Sequence, residues 1–387
     1  MNKIIVVGGG LVGAIAALSL ADRGFRILLV DRQKPDLGPT GLGMDIQNVA
    51  LSPRSRKRIE ALASWPDEAA PYNKMKVWEE RGVAALEFCA DAIENEALGW
   101  IVEKTPLTQK LWLALEDNPA IDIVFGSLET VHSESTGVCM TLSEAPSIRH
   151  SADLLIAADG ANSAVRRAMG IPSSIVPADQ MAITTIVRAS LAHQGTAWQR
   201  FLKDGPLALL PGRDPHLCSV VWSQSTAKAE HLMALDDQMF ADAVARASEF
   251  CLGSVQAVAD RYVLPLRQQM ASTAMPADRV LLIGDALRVV HPLAGLGVNL
   301  GFEDIEHLML IPNRDLMNPS ALKKFSRQRV LRSQIMVRAL DALRRLYGAQ
   351  DPLTGWLRNA GVAWVQQQRW LKKRLIMEAT GIDSLTA

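Results

Sequence analysis

Gly8, Gly10 and Gly13 form a Gly-x-Gly-x-x-Gly array, and an acid, Asp31, follows 18 residues after its last glycine. Glycines at this spacing permit a tight turn, let backbone come close to a pyrophosphate and let a helix pack closely on a strand. A helix that begins at the turn directs its free N–H groups at the negative charge, and the acid can accept ribose hydroxyls. Val12 lies inside the turn and Arg32 follows the acid. The chemistry implied is dinucleotide binding, which needs a strand before the array and a helix after it. Residues 3–7 read as a short buried strand, 11–23 as a helix stopped at Gly24, and 26–30 as a second buried strand. The apolar run over 4–21 also mimics a signal sequence or membrane span, but it holds four glycines and a serine and ends abruptly at Asp22-Arg23-Gly24.

Two later stretches have the form of loops at strand ends. In Asp159-Gly160-Ala161-Asn162-Ser163-Ala164-Val165-Arg166 a strand-like run over 153–158 turns into a helix. Gly284-Asp285-Ala286 ends a parallel-type strand over 279–283 and is followed by His291, Pro292, Gly295, Leu296, Gly297, Val298 and Asn299. Ligands of a doubly wound sheet sit beyond the carboxyl ends of its strands, so the three loops define one site. Asp285 there would accept polyol hydroxyls, and Gly295 and Gly297 would let backbone approach a flat ring. Arg166 reads as part of this site or as a solvated helix arginine. His291, titrating near neutrality, reads as an acid–base group or as a loop residue that positions Pro292.

These loops need a frame. Residues 53–62 and 106–115 read as helices, while 121–125, 128–131, 138–142 and several short runs within 74–102 read as strands. A second strand-rich region, 181–267, contains runs at 181–189, 207–210, 217–223 and 261–266, interrupted by a helical stretch near 228–250. Beyond 283 the patterns are helical. The expected class is α/β with α+β insertions. A Rossmann-type domain (1–72, 98–180, 268–320) interleaves with a β-sheet substrate domain (73–97, 181–267), and a helical region (321–387) follows. Trp198, Phe201, Leu209, Val221 and Trp222 are candidates to line an apolar substrate pocket, ordinary core being the alternative.

Together these residues resemble the class A flavoprotein aromatic hydroxylases, the group of p-hydroxybenzoate hydroxylase, and within it the ubiquinone-biosynthesis hydroxylases. Residues 291–304 match that subfamily's HPLAGQGxNxGxxD pattern at every fixed position except Leu296. Asp159 to Arg166, Asp204-Gly205-Pro206 with Pro211, and Val221-Trp222 also match. The resemblance implies FAD, with Gly8, Gly10, Val12, Gly13, Asp31 and Arg32 on its ADP half and Asp285 on its ribityl chain. Pro292, Gly295, Leu296, Gly297, Val298 and Asn299 would line the isoalloxazine, while Asp159 and Gly160 would serve the pyrophosphate region and NAD(P)H use.

The departures are local. Gln47 stands where relatives carry arginine, and Leu287-Arg288 replaces a stretch that ends in histidine. Arg288 is one candidate for the missing cation. Lys104 sits where relatives carry arginine or asparagine near the flavin.

The implied reaction uses NADPH or NADH as reductant and O2 as cosubstrate, through a flavin C4a-hydroperoxide. It hydroxylates the ring of a polyprenylated phenol or quinol intermediate of ubiquinone biosynthesis, with the demethoxy quinol favoured by the wording around Val77-Trp78-Glu79. Beyond His291 and Pro292 the sequence names no catalytic side chain. Two alternatives stay open: a hydroxylase of a small soluble aromatic, and a flavin-binding scaffold subunit of a biosynthetic complex.

Charge and cysteines bound the partners. The chain has 41 basic and 41 acidic residues, which argues against a nucleic-acid binder. Yet residues 321–387 carry 13 basic and 4 acidic side chains, leaving the rest at a net of −9. Leu353, Leu357, Ala360, Trp364, Leu371 and Leu375 share one helical stripe with Arg358, Arg369, Lys372 and Lys373 on other faces. Leu322, Phe325, Met336, Leu340 and Leu343 form a second stripe. The tail either packs on the body with its cations solvated or meets an anionic lipid surface or a biosynthetic complex. Cys89, Cys139, Cys218 and Cys251 lack metal-ligand spacing, so no metal is expected, and they suit a reducing cytoplasm, while the basic tail is what would place the protein peripherally at the inner face of the membrane.

Overall fold

The computed structural model describes residues 2–35, 44–80, 82, 84–134, 136–290, 296–348 and 351–380. β1 (Lys3–Val7), α1 (Leu11–Asp22) and β2 (Arg26–Asp31) form the opening βαβ unit, its strands parallel from Lys3↔Arg26 to Val7↔Val30. Ten of the 12 residues of α1 are buried. The helix is apolar all round because the core closes on every side of it, which explains its likeness to a membrane span. Gly24, at φ +87°, lets the chain turn away beyond its C-terminus.

β3 (Asn48–Leu51) precedes α2 (Pro53–Glu60), whose start is set by Ser52 accepting the Ser55 N–H and by Pro53 in the first turn. β4 (Ala70–Tyr72), β5 (Lys74–Glu79), β6 (Ala85–Cys89) and β7 (Gly99–Glu103) lead to α3 (Lys104–Glu116) and β8 (Ile121–Phe125). A meander of β9 (Leu128–Ser133), β10 (Val138–Leu142) and β11 (Ala145–Ala152) returns the chain to β12 (Leu154–Ala157) and the short α4 (Ala164–Ala168). Next come β13 (Ser173–Ala189), β14 (Thr196–Leu202), β15 (Gly205–Pro211) and β16 (Leu217–Ser225). α5 (Thr226–Ala234), α6 (Asp237–Ala247), β17 (Val255–Ala257) and β18 (Tyr262–Ala271) follow. After β19 (Val280–Leu282), β20 (Arg288–Val289) and α7 (Leu296–Met309), the chain ends in α8 (Pro319–Gly348), α9 (Pro352–Gln367) and α10 (Arg369–Thr380).

Five strands in the order β19-β12-β1-β2-β8 make a parallel sheet. Its strand order reverses beside β1, so the crevice at the C-terminal ends of β1, β12 and β19 is a switch point of the kind that binds ligands. A mixed sheet ordered β20-β18-β13-β16-β15-β14-β5-β6, with β17 added beside β13, faces that crevice, and α5 and α6 cover its far side. β3, β7 and β4 form a small antiparallel sheet between the two.

Several expectations change. The second strand region begins at Ser173, and the helical stretch near 228–250 is two helices, because Asp236 caps α6 by accepting the Met239 N–H. β11 escapes sequence reading because it is a polar, mostly exposed edge strand with no alternation. β20 interrupts the supposed all-helical region.

In the tail, Leu322, Phe325 and Leu340 are buried on the body as one stripe predicts. α9 and α10 are turned the other way. Arg358 is buried in an ion pair with Glu79 of β5, while Trp364 and Leu375 are exposed. The side chains of Leu353 and Leu357 lie outside the described residues. α9 runs through Gly361, and the break falls at Gln368. No helix among the described residues is long and apolar enough to cross a membrane.

Candidate active site

The turn after β1 is built for glycine. A Cβ on Gly8 would lie 2.5 Å from the Ala158 carbonyl oxygen, and one on Gly13 would lie 1.8 Å from that of Gly8. A Cβ on Gly10, Gly160 or Gly297 would meet no protein atom within 4 Å: these three glycines present backbone to open space. The first turn of α1 carries neither a side-chain cap nor an acidic residue, so its N–H groups face the cleft unmatched by side chains. Asp31 accepts the Gly9 N–H at 2.5 Å and the Arg32 N–H at 2.6 Å, which fixes the loop, and Arg32 itself is exposed. Val12 plays another part. It fills the notch left by Gly284 and Gly301, locking α1 to α7 rather than facing the cleft.

Trp112 of α3 was not foreseen. Its ring occupies the space where a Gly9 Cβ would go, and its indole N–H donates to the Gly9 carbonyl at 3.0 Å. The sequence marks it only as one more apolar position of a core helix.

Asp159 divides its carboxylate. One oxygen accepts the Ala164 N–H at 2.7 Å and caps α4, while the other is buried without a partner among the described residues. Arg166 is no solvated arginine. It is buried and donates to the carbonyls of Ala286 and Ala161 at 2.8 and 2.7 Å, tying α4 to the third loop, and burial lowers its pKa. Asp285 has open access to the cleft but is hemmed in by protein. Desolvation raises its pKa, Arg288 and Lys104 oppose that rise, and Asp304 adds to it. An orphaned acid oxygen, glycines facing open space and free helix N–H groups fit a bound dinucleotide.

The substituted cations sort themselves out here. Lys104 donates to the Gln47 side chain at 3.2 Å, so two residues far apart in sequence share one edge of the cleft. Asp45 arranges this by accepting the N–H groups of Gln47 and Thr105. Arg288 cannot serve as the free cation. It is buried against Asp304 at 2.6 Å and donates to the Leu300 carbonyl. Asp304 also accepts from Arg329 at 2.6 Å and from the Gly284 N–H at 2.9 Å. Burial alone would raise the Asp304 pKa, and the two guanidinium groups overcome it and hold the carboxyl low.

Beside Asp285 lies a cavity of about 300 Å³, bounded by Gly297, Val298 and Val290 on one side and by β14, β15 and β16 on the other. Ala197, Gln199, Ala208, Leu210, Val221 and Ser223 face into it. Of the five pocket candidates only Val221 lines it. Leu209 and Trp222 belong to the opposite face, in the core with Phe240 of α6, and Trp198 packs there against Trp78. Side chains alternate along a strand, so choosing the largest apolar residues selected the wrong face by one position. Phe201 has the cavity-side parity but is covered by Tyr347 of α8, stacked at 3.9 Å. Gln199 and Ser223, polar groups without a hydrogen-bond partner among the described residues, were missed.

Asn299 is held in place from both ends of its amide. Its amide donates to the Ala50 carbonyl at 2.7 Å, and its oxygen accepts from Ser52 and Ser55. His291, Pro292, Gly295 and the Leu296 side chain lie outside the described residues. A larger hollow of about 1090 Å³, between α7, α8 and α10, is an open groove of mixed charge and shares no wall with this cavity.

Residues 1–339 match the family described as FAD binding domain. The chain is 31% identical to 3-demethoxyubiquinol 3-hydroxylase of Escherichia coli (strain K12), covering 98% of this chain and 99% of that one. It is 28% identical to ubiquinone hydroxylase UbiL of Rhodospirillum rubrum, covering 98% and 89%. The solved structure of p-nitrophenol 4-monooxygenase PnpA from Pseudomonas putida DLL-E4 is similar with a TM-score of 0.73, covering 98% and 99% at 18% identity, a likeness of fold alone.

Proposed function

The chain belongs to the FAD-dependent aromatic-ring monooxygenases related to the ubiquinone-biosynthesis hydroxylases, and from that premise we propose that it hydroxylates the ring of a polyprenylated phenol or quinol. NADPH or NADH is the reductant and O2 the cosubstrate. The observation that carries this reading is the cavity in which Asp285, Gly297 and Val298 meet the inward face of the sheet. In this reading Gly8, Gly10, Gly13 and Asp31 hold the ADP half of FAD, and Asp285 holds the polyol. Bound FAD supplies the activation of oxygen with electrons from the nicotinamide.

The chain's own residues do the rest. Ala197, Ala208, Leu210 and Val221 exclude water from the ring, which strengthens every polar contact inside. Gln199 and Ser223 accept the hydrogen bond of the ring hydroxyl through their side-chain oxygens, fixing which carbon is presented and raising electron density in the ring. Lys104, positioned by Gln47, stands as the cation at the cleft edge. The C-terminal helices meet an anionic lipid surface in the same reading, with Trp364, Trp370 and Leu375 exposed and Lys373 and Arg374 near Trp370 on α10.

Purified holoprotein should oxidise NADH or NADPH faster when a short-chain quinol is present, and the product should gain one oxygen atom by mass. Failure of both nicotinamides to reduce the flavin would reject the enzyme in favour of a scaffold.

A further inference from the structure

The ring cavity holds a further polar group, Tyr72 of β4, on the wall made by the small sheet. Tyr72 pairs with Gly99, and Ala50 and Ala70 pair with Ile101, so Tyr72, Ala50 and Ile101 share the face turned to the cavity. The ring of Tyr72 lies across Gly99, where a Cβ would come within 2.7 Å of the phenol oxygen. That hydroxyl makes no hydrogen bond among the described residues. Asn48, also in the wall, differs in that its amide already donates to the carbonyls of Asp45 and Ile46. Burial pushes the Tyr72 phenol up to about 12, so near neutral pH it is an O–H donor and not a phenolate.

The strand registers place this donor at one end of the cavity. The Asn73 and Lys74 N–H groups both donate to the Gly195 carbonyl, and Met75 then pairs with Ala197 of β14. Tyr72 and Leu210 pack against the same small cluster, which contains Ile101. Gln199 lies one pleat repeat beyond Ala197, about 7 Å along the strand, and pairs with Ala208, the partner of Val221. Ser223 is one repeat beyond Val221. Tyr72 therefore stands at the Ala197 end, and Gln199 and Ser223 lie successively farther from it.

We propose that Tyr72 makes this site select a quinol over a monophenol, by donating a hydrogen bond to the ring oxygen para to the hydroxyl held by Gln199 and Ser223. The proposal rests on the ring-hydroxylase reading above and narrows its substrate class. A ring with oxygens at both poles satisfies both ends of the cavity. A monophenol leaves the Tyr72 hydroxyl facing Ala50, Ile101 and Leu210 without an acceptor, and a buried donor left unpaired is costly.

The test compares hydroquinone with phenol, each titrated without oxygen or reductant into FAD-loaded full-length protein and followed by the flavin absorbance. The parent should bind hydroquinone about tenfold more tightly, the worth of one hydrogen bond and of the donor it satisfies. Tyr72→Phe keeps the ring over Gly99 and removes the hydroxyl. It should bring the ratio down to about twofold, the statistical advantage of two equivalent hydroxyls. Tyr72→Leu, which also removes the hydroxyl, takes its place if the phenylalanine variant does not retain FAD. A parent ratio of about twofold or less overturns the proposal. So does a preference that survives loss of the hydroxyl, or an equal loss of affinity for both probes, which is the mark of a merely structural tyrosine. If neither probe perturbs the flavin or gains oxygen on turnover with NADH or NADPH, the ring reading itself fails. Phenol bound and hydroxylated as well as hydroquinone leaves the ring reading standing and removes Tyr72 from it.

Discussion

Replacing Asp304 by Asn is the most direct probe of what holds the cofactor loops. The carboxylate is fully buried and takes three donors: Arg288 and Arg329, each at 2.6 Å, and the Gly284 N–H at 2.9 Å. The amide keeps the shape but removes the charge, and its NH2 points a donor at another donor. The one remaining amide oxygen can serve either Arg329 or the Arg288 and Gly284 pair but not all three, and Arg329 has Glu303 besides while Arg288 has otherwise only the Leu300 carbonyl. Breaking a buried pair from one side costs about 3–5 kcal/mol, because the orphaned charge stays buried. Arg288→Met should cost less, about 1–3 kcal/mol, since Asp304 keeps Arg329 and the Gly284 N–H.

Melting of the apoprotein reads these losses without the added free energy of bound FAD. A fluorescence titration should also show FAD affinity falling by about tenfold, or roughly 1.4 kcal/mol, as Gly284 loses its anchor beside Asp285. The sign of the pH dependence is fixed. The Asp304 pKa is depressed on folding, so its contribution is fully present above the unfolded value near ~3.9 and is lost as pH falls from there through the lower folded value. The gap between parent and variant should therefore hold steady at neutral pH and narrow in acid. A loss below about 1 kcal/mol with unchanged FAD affinity would refute the reasoning, since that is surface-pair behaviour.

Gly10→Ala should leave apoprotein stability within about 0.5 kcal/mol yet weaken FAD retention, because its Cβ would enter open cleft, whereas Gly13→Ala should disrupt the fold by collision with Gly8. Equal retention of FAD by parent and Gly10→Ala would remove that loop from the site. Gln199→Leu should keep its melting temperature while kcat/KM for the quinol falls by about 10–100-fold for a lost hydrogen bond. Trp222→Ala should show the converse, losing about 3–5 kcal/mol of stability, and swapped outcomes would mean that the faces of the sheet are misassigned. Cys218 and Cys251, their thiols pushed up to about 12 and about 11 by burial, should resist alkylation near about pH 8 until the protein is unfolded. Labelling of native Cys218 at the unfolded rate would contradict its burial.

The cofactor cleft is legible in the sequence because its requirements are local. Gly8 and Gly13 are where they are for steric reasons, Asp31 ends β2, Asp285 lies in the turn just after β19, and each loop adjoins its own apolar run. The ring cavity is not legible in that way. β14, β15 and β16 bury both faces, one against α5 and α6 and one against the cavity, so no polar alternation says which face is which. The roles of Gln47, Lys104 and Arg288 depend on partners 57 and 16 residues away, and spacing carries no information about such pairs. The tail misled for a related reason. A helical wheel shows that a stripe exists but not whether the body or the solvent takes it, and the Arg358–Glu79 pair decided the matter for α9.

The pleat of the three cavity strands has a consequence for how such a protein changes over time. Residues that shape the ligand space, Ala197, Gln199, Ala208, Leu210, Val221 and Ser223, alternate with residues that hold the domain together, Leu207, Leu209, Val220 and Trp222. A substitution at one set need not disturb the other, so substrate preference and folding stability can drift almost independently. Because the cavity set includes two alanines and a serine, the accessible direction of drift is toward a narrower site. A lineage can trim its substrate range one side chain at a time without rebuilding its core.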